Sequence, residues 1–329
     1  MRYVSRLLLT TLAIGCSGGE RSDTGPVVDT GWFSDTASPE QCPGVLKDWL
    51  PKDGASQWYW RDRPTIWTGN SRKETYSATL WQGATPLQTD LVWDASGVSF
   101  QVDRGQPLDP NTEYILEVTD CRETRRVTFT TSDYGSPLDG SVDDLVGTTY
   151  LIDLAGAEWL EPGGFSALLS LYFTTPILLM VNYADATHVD FLGAQGYRDD
   201  LGQFYQLPNE ATFEFPLASW PEQPYFDVVA PEVGITYQNI PIAIYNFSLS
   251  GTFASDGSKI GGSKVEGLGD TRFMGPLIGQ GEDPYAICTQ AAALGVTCTE
   301  CPDGLDTCLF LSAVDVNGTQ VPGLQLTPK

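Results

Sequence analysis

Apolar and polar residues alternate in short runs along the first part of the chain, between residues 41 and 133. A strand with one buried face carries apolar side chains at every second position, so these runs predict β-strands. Turn-forming residues separate the runs, and no helix of useful length fits between them. The predicted strands are residues 64–68, 77–81, 98–102, 114–118 and 126–130. Their spacing predicts an antiparallel β-sandwich.

Longer and less regular runs continue the strand pattern in the second part of the chain. Ser255-Asp256-Gly257-Ser258 is a strong hairpin turn between the two clearest strands, residues 242–254 and 259–268. Short helices are predicted over residues 165–173 and 283–294. The other predicted strands are residues 148–154, 177–182, 188–193, 211–215, 225–229, 235–237 and 309–316. The predicted fold class is mainly β, with a larger β-sandwich or partly open barrel following the first sandwich.

The sequence Pro-Leu-Asp-Pro-Asn-Thr-Glu-Tyr at residues 107–114 has a definite structural role. Its Pro-Asn pair suits a turn, and the Tyr114 hydroxyl can bond the backbone at the corner. Together with residues 51–55, 64–68 and 129–132, this order of motifs resembles the bacterial immunoglobulin-like domain of the SbsA type. That family occurs in surface-layer and other envelope proteins. The resemblance implies a spacer or adhesion module and not an enzyme.

The first fifteen residues are typical of a signal peptide. Two arginines precede the apolar run 7–14, which is too short to span a bilayer because a span needs about 20 apolar residues. Small residues then precede Cys16, an arrangement that resembles the bacterial lipoprotein signal. The resemblance implies a diacylglycerol on the Cys16 sulfur and an anchor in the cell envelope. Ser17 implies the outer membrane, with the periplasmic or surface face left open.

Composition divides the chain into five segments. Residues 16–40 are rich in Gly, Ser, Asp and Thr with little to bury, so they predict a disordered linker. A second linker is predicted over residues 134–145. The predicted organisation is a signal peptide (1–15), a linker (16–40), an immunoglobulin-like domain (41–133), a linker (134–145) and an acidic β-rich domain (146–329).

Six cysteines remain if Cys16 carries lipid, and an even number in an oxidising compartment predicts disulfides. The immunoglobulin-like resemblance implies that Cys42 pairs with Cys121. The last four cysteines allow three connectivities, one of which joins Cys288 to Cys298 and Cys301 to Cys308. A four-thiolate zinc site or thiol exchange is the alternative. The oxidising compartment and the absence of flanking basic residues favour two structural disulfides.

The charge is strongly acidic and unevenly distributed. The chain carries a net charge of −24, and residues 134–329 hold five basic and twenty-four acidic residues, a net charge of −19. Such a surface repels phosphate backbones and anionic headgroups. We therefore expect no nucleic-acid partner, and membrane attachment only through the N-terminal lipid. Solubility explains the charge most simply, while divalent cations or basic partners remain alternatives.

Few motifs of reaction chemistry are present. His188 is the only histidine, so paired-histidine metal sites are impossible, and we expect it at the surface where a strand starts. No nucleophile elbow or phosphate loop occurs. The sequence therefore predicts no catalytic residue, metal site or cofactor.

One aromatic cluster has two interpretations. Trp58 and Trp60 stand beside Arg61 and Arg63, and exposed aromatics of this kind stack on sugars or anchor a protein partner. The patch would then bind a glycan or another envelope protein. Alternatively the two tryptophans belong to the core and its edge.

Three functional hypotheses follow. The leading one is a non-catalytic, lipid-anchored envelope protein that presents its acidic domain on an immunoglobulin-like spacer for structural or recognition roles. The second is a carrier whose C-terminal barrel holds an apolar ligand against residues 150–154, 177–181 and 242–253. The third is a glycan-active enzyme with a carboxylate pair.

Overall fold

A computed structural model describes residues 45–163, 175–237 and 240–329. Over these residues the protein is mainly β, as the sequence predicts, with one α-helix. The predicted signal peptide, the linker 16–40 and the helix at 165–173 lie outside the described residues, as do Cys16 and Cys42. None of the helices described is long and apolar enough to cross a membrane.

Nine strands form two sheets in the first region. All five predicted strands are present, as β3, β4, β7, β8 and β9 in the following assignment. The strands are β1 (Leu46–Leu50), β2 (Ala55–Trp58), β3 (Thr65–Thr68), β4 (Ser77–Gln82), β5 (Thr85–Pro86), β6 (Asp90–Trp93), β7 (Ser99–Asp103), β8 (Glu113–Thr119) and β9 (Thr124–Thr131). One sheet has the order β1-β3-β7-β6 and the other β2-β9-β8-β4-β5.

The core of the first region is built by the alternation that predicted its strands. In β8, Tyr114, Leu116 and Val118 are buried, while the residues between them are not fully buried. The backbone N–H of Asp109 donates to the Tyr114 hydroxyl oxygen at 2.8 Å. This bond is the corner interaction predicted for Tyr114, and the positive φ of Asn111, 49°, lies in the predicted turn.

Twelve further strands and one helix follow in the second region. The predicted helix over 283–294 is present but shorter, and the predicted hairpin corresponds to β18 and β19. The elements are β10 (Thr149–Ile152), β11 (Glu158–Glu161), β12 (Ile177–Ala184), β13 (His188–Arg198), β14 (Phe204–Gln206), β15 (Phe213–Glu214), β16 (Ala218–Glu222), β17 (Tyr225–Tyr237), β18 (Ile240–Phe253), β19 (Lys259–Asp270), α1 (Ala286–Ala293), β20 (Cys308–Val314) and β21 (Gly318–Gln320).

The large sheet closes on itself. Its order is β11-β20-β19-β18-β17-β16-β13-β12-β10-β21, and β21 also pairs with β19 through Lys259↔Thr319 and Ile260↔Gly318. The seam between β16 and β17 is short, because only Ser219↔Asp227 and Glu222↔Tyr225 pair there. The seam between β13 and β16 and the closing seam between β19 and β21 also have only two residue pairs each. The result is a barrel-shaped sheet that is weakly paired at three seams.

The two regions pack directly against each other within one compact unit, Cys42–Lys329. The hydroxyls of Tyr59 and Thr252 lie 2.6 Å apart. A Cβ added to Gly262, whose φ is +58°, would lie 2.1 Å from the Tyr59 ring. The Tyr59 ring therefore rests on the backbone of β19, where only a glycine leaves enough room.

We predict that Gly262→Ala destabilises the protein by about 1–3 kcal/mol more than Gly323→Ala does, because overpacking adds to backbone strain. Gly323 is the matched control, since its φ is +76° and nothing lies within 4 Å of an added Cβ. Urea unfolding followed by tryptophan fluorescence measures both changes. Equal losses in the two variants would show that the Tyr59 contact does not constrain position 262.

Candidate apolar ligand site

Aromatic side chains fill one end of the closed sheet. Tyr150, Phe191, Phe226 and Phe253 are fully buried. The ring centroids of Phe191 and Phe226 lie 4.9 Å apart, and those of Phe226 and Phe253 lie 5.3 Å apart. The Tyr150 hydroxyl donates to the carbonyl of Gly257 at 2.6 Å, so its polar atom is satisfied. This end of the sheet is a packed core.

Glycines shape the other end of the closed sheet. A Cβ on Gly193 would lie 2.0 Å from the ring of Phe213, and one on Gly267 would lie 2.5 Å from Ile244. The ring of Phe213 and the Ile244 side chain therefore lie flat against the backbone of neighbouring strands. Because these large side chains lie against the strands, the interior enclosed by the sheet is less filled at this end.

Two apolar cavities occupy this glycine-shaped end, and the inner one reaches Phe226 at the packed end. The outer cavity has a volume of about 200 Å³ and the inner cavity a volume of about 120 Å³. They adjoin, because the same side chains line both. The shared residues are Leu154, Ile177, Phe213, Ile235, Ile244 and Leu311. Since an apolar cavity of about 150 Å³ holds benzene, this space suits an apolar molecule of several carbon atoms.

Two short helical segments cover the outer cavity. A 3₁₀ turn at Gly275–Ile278 contributes Leu277. The helix α1 contributes Ile287, and Leu294 follows directly after its last residue. Both segments follow β19, so the chain that leaves the closed sheet returns across its open end before entering β20.

Disulfides fix the helical cover. Cys288 of α1 bonds to Cys298, and Cys301 bonds to Cys308 at the start of β20. The prediction of two structural disulfides is confirmed, and these are the two pairs named in the sequence analysis. Because the four sulfurs are bonded in two pairs, none is a free thiolate for zinc, and Cys298 is not bonded to Cys301 as the disulfide of a Cys-x-x-Cys exchange motif would require.

The first region contains a further bonded cysteine. Cys121 is part of a disulfide. Cys42 lies outside the described residues, so its pairing with Cys121 stays a prediction.

The outer cavity has an uncharged lining. Among the described residues that line it there is no Asp, Glu, Lys, Arg or His. Arg272, at the end of β19, is held by the buried carboxylate of Asp270, with Nε 3.0 Å from Oδ1, and also pairs with Asp303. Hydrogen bonds to Asp270 raise the pKa of Arg272 above its ordinary value. This guanidinium is therefore engaged within the chain.

Gln195 and Thr271 are the polar residues that the fold buries among the described residues of this lining. Within the described ranges, Gln195 is the one of the two without a side-chain hydrogen bond. It lies in β13 opposite Ile177 of β12 and is 6% exposed. Its backbone carbonyl accepts from the N–H of Leu207 at 2.9 Å, which fixes the main chain. Within the described part of the chain, no hydrogen bond to its carboxamide is present.

The tryptophans of the predicted aromatic patch are not an exposed surface. Trp60 is 3% exposed, and its indole N–H points at the Thr252 hydroxyl 3.4 Å away in the second region. Trp58 is half-buried and packs edge-on against Phe129, with centroids 6.2 Å apart. The second region therefore covers Trp60, and Trp58 packs on the core of the first region. Binding at this patch stays a prediction.

The arginines of that patch are engaged within the chain. The Arg61 guanidinium lies 3.9 Å from the ring centroid of Tyr225 and 3.1 Å from a carboxylate oxygen of Glu222. Arg63 pairs with Asp103 at 3.1 Å. Both contacts are made to side chains of this protein, and a glycan or protein partner for the patch stays a prediction.

The lone histidine lies where the sequence predicts. His188 begins β13 at the surface, with 45% of its side chain exposed, and its Nδ1 lies 2.8 Å from the Thr187 hydroxyl. The described residues contain no group of three or more His, Cys, Asp or Glu side chains placed to hold a metal ion.

Comparison with known proteins gives no family. No protein-family model matches the chain, and no curated protein matches it. Among solved structures, the chain is similar to an L,D-transpeptidase from Mycobacterium smegmatis, with 13% sequence identity and a TM-score of 0.22. The match covers 54% of this chain and 75% of that one. A similarity of this size carries no argument about function.

We predict that replacing both Cys288 and Cys298 by serine lowers the free energy of unfolding by about 2–3 kcal/mol, the chain-entropy value for a loop of this length. Hydrogen exchange should become faster in α1 and stay unchanged in β8, which serves as the internal control. Denaturant unfolding and exchange measured by mass spectrometry test both statements. An unchanged free energy of unfolding with unchanged exchange in α1 would contradict the role given to this disulfide.

Proposed function

We propose that the protein is a non-catalytic cell-envelope lipoprotein that binds an apolar ligand inside the closed sheet of its second region. The single observation that carries the proposal is the pair of adjoining apolar cavities at the glycine-shaped end. The proposal develops the carrier hypothesis and keeps the anchor and spacer of the leading hypothesis. In this proposal the first region is the spacer, and the N-terminal lipid attaches the protein to the membrane.

The cost of empty space supports a binding role. Cavities in protein cores destabilise by roughly 24 cal/mol per Å³, so an unfilled outer cavity of about 200 Å³ costs about 5 kcal/mol. The other end of the same sheet shows that this fold can be filled, since four large aromatic residues pack there. A ligand that occupies the cavity restores the missing contacts, and the lost stability then returns as binding energy.

A membrane anchor would place the cavity close to a source of apolar ligands. The lipid on Cys16, implied by the lipoprotein resemblance, would hold the domain beside a bilayer, and the acidic surface would keep the domain from lying on anionic headgroups. We propose that the protein is anchored in the outer membrane, where apolar molecules are locally concentrated.

We predict that Ile244→Trp weakens the binding of 1-decanol at least tenfold, because Ile244 lines both cavities and the larger side chain fills them. Val229→Trp is the matched control, since Val229 is 65% exposed on the neighbouring strand β17. Equilibrium dialysis of ¹⁴C-labelled 1-decanol against the full chain measures the dissociation constants. Equal affinity in Ile244→Trp and the unmodified protein would rule out the cavity as the binding site.

We predict that Cys16→Ala moves the protein from the membrane fraction to the soluble fraction, because the substitution removes the sulfur that would carry the lipid. Ser17→Ala leaves that sulfur in place and is expected to stay with the membrane. Cell fractionation followed by immunoblotting gives the distribution. A Cys16→Ala protein that remains in the membrane fraction would contradict anchoring at this residue.

A further inference from the structure

The buried carboxamide of Gln195 is an unexplained polar group in an otherwise apolar cavity. Its residue is 6% exposed and lines the outer cavity. A carboxamide offers two donor hydrogens and an acceptor oxygen. Burial of such a group without a partner is unfavourable. No hydrogen bond to this side chain occurs within residues 45–163, 175–237 and 240–329, so its partner is sought in a ligand.

The other polar side chains near this position are differently placed. The Thr271 hydroxyl donates to the carbonyl of Thr307 at 2.7 Å, so it is satisfied within the chain. Gln290 of α1 also lines the outer cavity, but it is solvent-exposed. Thr175 and Thr236 also line the outer cavity but are only partly buried. The buried Ser263 hydroxyl, which has no partner among the described residues, lies in the inner cavity. In the outer lining, Gln195 is therefore the buried side chain that a ligand can satisfy.

Charge restricts what that ligand can be. A carboxylate or phosphate beside Gln195 would be buried without a neutralising cation, because the described lining holds none and Arg272 is bound by Asp270. The net charge of −19 over residues 134–329 opposes anions further. A buried ammonium would equally lack a free carboxylate, because none lines the outer cavity and Glu266 of the inner lining pairs with Lys264 at 2.8 Å. The chemistry of the cavity thus favours an uncharged molecule.

We propose that the ligand is an uncharged single-chain lipid whose hydroxyl or ester carbonyl hydrogen-bonds the Gln195 carboxamide, with its chain extending toward the inner cavity. The proposal rests on the proposed function, because it needs the cavity to bind an apolar ligand. It adds that Gln195 is a specificity-determining residue. Ile177, Phe213 and Ile244, which line both cavities, would contact the chain.

Three probes of equal chain length test this proposal with the full chain at pH 8: 1-decanol, n-decane and ionised decanoate, each ¹⁴C-labelled and measured by equilibrium dialysis. In the unmodified protein we expect decanoate to bind at least about 50-fold more weakly than 1-decanol. Gln195→Leu should weaken 1-decanol binding about 5- to 10-fold, the value of one hydrogen bond. The same variant should bind n-decane with an affinity within about twofold of that of the unmodified protein, or more tightly. Gln101→Leu, at an exposed position of β7 in the first region, is the matched control and should leave all affinities within about twofold.

The outcomes separate the two proposals. Failure of both 1-decanol and n-decane to bind the unmodified protein overturns the proposed function and this inference with it. If both probes bind the unmodified protein, two results overturn the role of Gln195 and leave the proposed function standing. In these results, Gln195→Leu either leaves 1-decanol binding unchanged or weakens n-decane binding as much as 1-decanol binding. Decanoate binding as tight as that of 1-decanol overturns the restriction to uncharged ligands. The decanoate comparison needs no variant, so it holds even if Gln195→Leu fails to fold.

Discussion

The pairing of β21 with β19 is the constraint on which the second region depends. Ile260 pairs with Gly318 there, and a Cβ on Gly318 would lie 3.2 Å from Ile152 and from Ile260 itself. Glycine allows this close approach of three strands. Closure pairs backbone groups that would otherwise form a free sheet edge and turns one face of the sheet into an enclosed interior. Without the pairing, the two cavities would be a groove open to water.

Once the sheet is closed, the size of its inward-facing side chains determines whether the interior is filled or holds a cavity. At one end Tyr150, Phe191, Phe226 and Phe253 fill the space. At the other end Gly193 and glycines of β19 let neighbouring side chains lie flat, and the space persists. The packed end supplies hydrophobic stabilisation, which allows the opposite end to remain unfilled. The two disulfides then hold the helical cover over the unfilled end without a larger core beneath it.

Local patterns predicted much of this fold. Alternation predicted the five strands of the first region, and the Ser-Asp-Gly-Ser turn predicted the hairpin of β18 and β19. The cysteine count predicted two C-terminal disulfides but did not choose among their three connectivities. Contacts between distant residues could not be predicted in this way. The burial of Trp60 depends on Thr252, 192 residues along the chain, and closure depends on Gly318 meeting Ile260. One local signal did exist, because β19 places glycines at positions 267 and 269, where an alternating strand would bury large side chains.

The central claim is that the closed sheet keeps an apolar space able to accept a molecule. Diffraction from crystals of the protein under xenon pressure tests this claim most directly, because xenon enters apolar cavities of this size. We expect xenon density among Phe213, Ile244 and Leu311, and none at the aromatic end around Phe191 and Phe253. Well-ordered crystals with no xenon inside the closed sheet would contradict it.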